Sequence, residues 1–287
     1  MIETASATQR GAMIRCLHDA YMEVFPTPTI EERLMVLEPG SDVAVTCSPT
    51  KSVSETLDMT GRLAGRGFKV IPHISARMVR NHAHLREIMD RLDDIRVRSI
   101  FVPGGDSKQP AGEFSTAFEL LRAIAEFDHR FTEIGVASHP EGHPEVDDET
   151  LLRELEKKQP LSTYHVTQMC FDPTTLENWL RMIHERGIAL PAWIGIPGVA
   201  DRVSLLKTSL RIGVGTSLRY LRGKSAFAGQ LLRGNTYTPD GLLGGIAPLL
   251  SDEACNVAGF HIYCFNQVER TENWRHEALE ALRREAG

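Results

Sequence analysis

The sequence predicts a (β/α)8 TIM barrel, an α/β fold. Three observations carry this: eight short β-rich apolar runs, helical patterns between most of them, and no linker-like composition within 287 residues. The runs are near-continuous in apolar content and do not alternate with polar residues, as parallel strands covered on their outer face require. An open doubly wound sheet is the rival. It would show a glycine-rich phosphate turn after its first strand, and Phe25-Pro26-Thr27-Pro28-Thr29 is not one. The length suits one domain over 1–287, with residues 1–20 as an N-terminal helical extension.

The strand candidates are 21–25, 42–47, 69–75, 99–102, 133–138, 165–171, 192–196 and 258–265. Leu57, Leu63 and Ala64 form the apolar stripe of one intervening helix, and Leu85, Ile88, Met89 and Leu92 that of the next. Phe114, Phe118, Leu121, Ile124 and Ala125 repeat at the helical period, with Gly112 and Glu113 at the entry. Leu176, Trp179, Leu180 and Ile183 follow the start signal Asp172-Pro173-Thr174, and Gly187 stops that helix. Between residues 199 and 257 no strand is expected. Helical stretches at 205–210, 218–221 and 242–250, the first two parted by Gly213-Val214-Gly215-Thr216-Ser217, predict extra helices between strands 7 and 8. A charged amphipathic helix closes the chain at 269–284.

Composition narrows the function classes. A net charge of −6 gives no support to nucleic-acid binding, which wants a basic face. No apolar run reaches membrane-spanning length and no apolar signal core opens the chain, so a cytoplasmic protein is expected. Cys16, Cys47, Cys170, Cys255 and Cys264 lack C-x-x-C spacing and read as small core residues in a reducing compartment. Solvent-facing apolar residues in 199–256 would suit a homo-oligomer contact.

In a barrel the carboxyl ends of the strands share one mouth, so polar residues distant in sequence meet there. Those ends carry Glu23; Thr46 and Ser48; His73 and Arg77; Gly104-Gly105-Asp106; His139, Glu141 and His143; Gln168 and Asp172; and Tyr263 and Asn266. The segment His139-Pro140-Glu141-Gly142-His143-Pro144-Glu145 is too proline-rich for a helix or a buried strand and reads as a stiff polar loop. Glu23, inside Tyr-Met-Glu-Val-Phe-Pro, is a candidate acid: burial should raise its pKa towards neutrality, where it can donate a proton. The bland alternative pairs Glu23 with Arg77 or another cation. A metal site from His73, His139, His143 and Asp106 is disfavoured, because the first strand lacks the H-x-H of barrel metallohydrolases.

Laid out in strand order, these residues resemble the methylenetetrahydrofolate reductase family. The match runs through Glu23-Val24-Phe25-Pro26, Val45-Thr46, Pro72-His73-Ile74, Gly105-Asp106, the His139–Glu145 loop, Thr167-Gln168-Met169-Cys170-Phe171-Asp172 and His261-Ile262-Tyr263-Cys264-Phe265-Asn266. The resemblance implies a barrel enzyme that uses FAD and NADH or NADPH to reduce 5,10-methylenetetrahydrofolate to 5-methyltetrahydrofolate, in one-carbon metabolism that feeds methionine biosynthesis, or that runs in reverse. It implies catalytic roles for Glu23, the acid that opens the folate ring, and Asp106, which tunes the flavin. By the same resemblance Thr46, His73, Gly105, Asp106, His139, His143, Arg153 and Lys157 would bind the cofactor, and Gln168, Arg202 and Tyr263 the tetrahydrofolate substrate. Six positions depart from the family pattern. Gly104 replaces an arginine and His139 a tyrosine; Thr150, Arg153 and Glu156 replace residues that hold the diphosphate tail; Arg202 stands near a stacking aromatic. Arg153 is expected to supply a relocated charge for the diphosphate. The other function classes are a folate-binding methyltransferase barrel without hydride transfer, flavin-independent hydride transfer from NADH, and a non-catalytic folate or flavin sensor.

Overall fold

A computed structural model describes residue 2 and residues 6–47, 51–211 and 236–285. Ser48 and the expected 213–217 break and 218–221 helix lie outside the described residues. Seven parallel strands come first: β1 Tyr21–Val24, β2 Asp42–Val45, β3 Lys69–Pro72, β4 Ser99–Val102, β5 Glu133–Ser138, β6 Tyr164–Thr167 and β7 Ala192–Pro197. A two-residue antiparallel pair, β8 Ala200–Asp201 with β9 Thr236–Tyr237, precedes the last parallel strand, β10 Val257–Tyr263. The sheet runs in the order β3-β2-β1-β10-β7-β6-β5-β4. A parallel bridge between His73 and Phe101 joins its two edges, with Ile74 N–H donating to the Phe101 carbonyl at 2.8 Å. The eight expected strands are therefore the eight staves of a (β/α)8 barrel.

Two apolar layers hold it. Tyr21, Ala44, Ile71, Phe101, Tyr164 and Val166 fill the lumen, with Ala137 and Trp193 packed against them. The larger layer lies between the sheet and the helices. Strand glycines make room for the lumen aromatics. A Cβ at Gly135 would come within 2.4 Å of the Tyr164 ring, and one at Gly259 within 2.6 Å of Trp193.

The helices are α1 Ala7–His18, α2 Ile30–Arg33, α3 Val53–Gly65, α4 His82–Ile95, α5 Ala117–Ile124, α6 Asp148–Lys158, α7 Pro173–Glu185, α8 Arg202–Arg211, α9 Asp240–Ile246 and α10 Val268–Arg284. Their starts follow capping chemistry. Ser52 with Glu55 and Thr116 with Glu119 form capping boxes, Asn81 and Asp147 cap α4 and α6, and Asp172 caps α7 ahead of Pro173. The Thr116 box corrects the expected entry of α5: Gly112 and Glu113 belong to the loop, and Phe114 is buried before the helix begins. The 199–257 interval also differs from expectation by containing the β8–β9 pair. Ala200 and Tyr237 pack with Phe171 and Leu205, and with Phe265, so this strand pair and α8 sit over the ends of β6 and β10.

Candidate active site at the barrel mouth

Glu23 lies on the lumen face of β1, with its side chain 14% exposed. His261 of β10 places Nε2 3.1 Å from Glu23 Oε2, and His73, just beyond β3, places Nε2 3.9 Å from the same oxygen. A carboxylate only accepts, so the His261 Nε2–H is the donor. Burial is the largest single influence on Glu23 and pushes its pKa up. The His261 hydrogen bond and the charges of His73 and His261 together outweigh it, leaving the carboxyl below its usual range. The expected rise towards neutrality is thereby corrected: burial acts as foreseen, but imidazoles enclose the carboxylate. Arg77 is not a partner either. Its guanidinium donates to the carbonyls of Ser107, Lys108 and Ser115 and braces the loop that carries Asp106.

That loop leaves β4 through Gly104 and Gly105. Gly105 has φ +98°, and a Cβ there would meet Ser75 Oγ at 1.8 Å, so only glycine serves. Asp106 is exposed. At the end of β2 and beyond β3, Thr46 Oγ1 and His73 Nε2 are buried without a hydrogen-bond partner among the described residues. Burial, partly offset by Glu23, drives His73 down to about 4.

Beyond β5, the rings of His139 and His143 meet edge to face at 5.6 Å. The loop is tied by Gly142 N–H to the His139 carbonyl and by Glu145 N–H to His143 Nδ1. Burial, then Lys158 and His143, push His139 down to about 3. After β6, Gln168 Oε1 accepts from Met169 N–H at 3.0 Å, which fixes the amide and leaves its Nε2 without a described partner. Tyr263 spans from β10 to β6, its hydroxyl donating to the Thr167 carbonyl at 3.1 Å. Arg202 opens α8 directly after β8.

Glu23, Thr46, His73, Gly105, Asp106, His139, His143, Gln168 and Tyr263 thus converge on the carboxyl ends of the strands. Arg153 and Lys157 do not join them. Both side chains are more than half exposed on α6, Arg153 paired with Glu149 and Lys157 with Glu154. The inward lysine is Lys158, 7% exposed, donating to the Ala137 carbonyl and pushed down to about 8 by burial. Leu155 and Lys158 are the buried residues of α6 and Leu152 packs against the core beside them, a three-residue spacing that separates the two lysines in the sequence itself. The resemblance assigns His261 no role, although it lies in the His261–Asn266 motif. Its parity with Tyr263 on β10 marks it as a lumen residue.

The mouth suits a flavin ring, because Thr46 Oγ1 and His73 Nε2 are buried polar atoms awaiting partners. The start of α6 suits the diphosphate poorly. Asp147 caps it and Asp148 and Glu149 fill its first turn. These carboxylates complement the helix dipole and repel a second anion. Arg153 and Arg186 both pair with Glu149 rather than standing ready for phosphate. Among the described residues, no group of three His, Cys, Asp or Glu side chains could hold a metal ion, and no helix is long and apolar enough to cross a membrane.

A family model described as methylenetetrahydrofolate reductase matches residues 32–209, more than half of the chain. It covers β2 to α8 and leaves Glu23 and His261 outside. Among solved structures, the chain is similar to a protein from Burkholderia cenocepacia J2315 described as a lyase/mutase. That likeness has 11% identity and TM-score 0.50, and covers 98% of this chain and 91% of that one. Another from the same organism, described as a phosphonomutase, aligns at 11% identity and TM-score 0.46 over 96% of this chain and 99% of that one. At this identity the first likeness speaks for the barrel fold alone.

Proposed function

The chain belongs to the methylenetetrahydrofolate reductase family, and we propose that it reduces 5,10-methylenetetrahydrofolate to 5-methyltetrahydrofolate with hydride from NADH or NADPH. The observation that carries this reading is the enclosed Glu23: Oε2 is taken by His261, while Oε1 makes no hydrogen bond to a described residue and is left for a substrate. Opening the folate ring needs a proton at N10, and Glu23, although its carboxyl is held below the usual range in the free protein, is the side chain placed to pass one on. Asp106, exposed at the mouth, stabilises positive charge developing on the pterin side. Gln168 offers its Nε2 hydrogens to the ring carbonyl, and Tyr263 braces that wall. Flavin, where bound, supplies a hydride carrier between nicotinamide and folate, and Thr46 and His73 are the residues that would hold its ring. The acidic first turn of α6 favours a second reading in which hydride passes directly from the nicotinamide. The same groups serve the reverse oxidation.

The test is Glu23→Gln with methylenetetrahydrofolate and NADH or NADPH, read as 5-methyltetrahydrofolate formed. A loss of about 10²–10⁴-fold in kcat with folate affinity retained is expected. Wild-type protein that consumes no NAD(P)H with the folate, or transfers its methyl group without doing so, overturns the proposal and favours a methyltransferase-type barrel. The visible spectrum of the purified protein separates the flavin and direct-transfer readings.

A further inference from the structure

One titratable group in the mouth enters the reading above only as the hydrogen-bond partner of Glu23. His261 is 1% exposed, with Nε2 3.1 Å from Glu23 Oε2. Strand register sets Tyr21 opposite His261 and Glu23 opposite Tyr263, so the imidazole reaches the carboxylate diagonally from one pair deeper in the barrel. The rings of Tyr21 and Tyr263 hold it at centroid distances of 4.9 and 4.6 Å. Its Nδ1 is buried without a partner among the described residues. His165 is the opposite case, its Nδ1 fixed 2.9 Å from Ser138 Oγ. The hydrogen bond at one ring nitrogen sets what the other carries. With Nδ1 unpartnered, Glu23 is the described hydrogen-bond partner that governs the proton on His261.

Resting on the folate reading, we propose that Glu23 and His261 form one acid, a carboxyl–imidazole pair sharing a single proton between Oε2 and Nε2, with His261 as the positioning residue that stores it. The proton leaves through the Glu23 carboxyl for folate N10 as the N10–methylene bond breaks with its electron pair on N10. Hydride from the nicotinamide then reduces the iminium carbon at N5. The pair is left as carboxylate and neutral imidazole and regains one proton from solvent. The titratable groups facing it are Tyr21 on β1, His73 beyond β3 and Tyr263 on β10, while β7 presents Gly195. Burial holds both tyrosines neutral and His73 at about 4, so none of the three competes for the proton near pH 7.

The experiment is the pH profile of methylenetetrahydrofolate reduction, from about pH 5.5 to 9, for wild type and His261→Gln. Glutamine can keep a donor beside Oε2 but cannot store the proton. The variant is expected to lose more than about tenfold in kcat at the alkaline end, with KM within about threefold. The gap should narrow towards the acid end, because without the His261 imidazole burial is less opposed and lifts the Glu23 carboxyl. A constant ratio at every pH, or an unchanged profile, overturns the pair and leaves the folate reading standing. No folate reduction by wild type overturns both. If His261→Gln does not fold, labelled wild type decides: the Glu23 carboxyl carbon and His261 ring nitrogen signals should change over one shared pH interval. Two separate intervals overturn the proposal.

Discussion

Gly195→Ala tests whether the β6–β7 wall of the mouth is as tightly set as the geometry requires. Gly195 N–H donates to Thr167 Oγ1 at 2.8 Å. A Cβ at position 195 would stand 2.1 Å from the Thr167 carbonyl oxygen and 2.7 Å from Tyr263 Cε2, where ordinary contact begins at 3.4 Å. A backbone oxygen inside a sheet cannot swing away. The methyl group must part β6 from β7 or push Tyr263 aside and break its 3.1 Å bond to Thr167. Overpacking costs about 1–3 kcal/mol and the broken hydrogen bond about 1 kcal/mol more, offset by up to about 1 kcal/mol from the stiffer unfolded chain. A net loss of about 1–4 kcal/mol follows, read by urea unfolding. Gly104→Ala is the control, because nothing lies within 4 Å of a Cβ there; it should be as stable as wild type or up to about 1 kcal/mol more so. If Gly195→Ala is as stable as that control, the account of the wall is wrong.

Acid should unfold the protein through its buried imidazoles. Burial drives His165 and His139 to about 3 and His73 to about 4. The unfolded chain takes up these protons below about pH 6.5 and the folded chain does not, so stability is full above that pH and falls as pH drops towards 4. Each group steepens the fall by up to about 1.4 kcal/mol per pH unit, and His165→Asn should flatten the curve in a urea-midpoint series across that range. Arg275→Met strands the 2%-exposed Glu272 and frees the Leu17 and His18 carbonyls that tie α10 to α1. About 3–5 kcal/mol should be lost in chemical denaturation, and a loss below 1 kcal/mol would mean His276 replaces the pair. Nothing lies within 4 Å of a Cβ at Gly104, so Gly104→Arg can begin its side chain there and add a cation near the mouth; flavin titrated by fluorescence should then bind more tightly, and unchanged binding would place the phosphate path elsewhere.

The barrel was legible because a parallel strand covered on both faces has a local signature, a continuous apolar run, and all eight runs are strands. Helix entries were legible where capping side chains stand next to the stripe, as at Asp172-Pro173. The α5 entry is not legible in the sequence, because Phe114 is apolar and in phase yet belongs to the loop. The strand-end residues of the site were legible because barrel topology alone sends them to one mouth. The family resemblance points to Lys157, whereas the structure turns Lys158 inward, because burial follows the helical stripe and not the alignment of letters.

The sequence by itself determined the barrel, the set of polar residues at its mouth and the family. Only the tertiary structure decided their states. Glu23 and His261 are 238 positions apart, and whether burial raises that carboxyl or an imidazole lowers it depends on a 3.1 Å contact across strands. Pairing of this kind is non-local: composition and periodicity say which side chains face inward, but electrostatic balance is set by distances that exist only once the sheet closes.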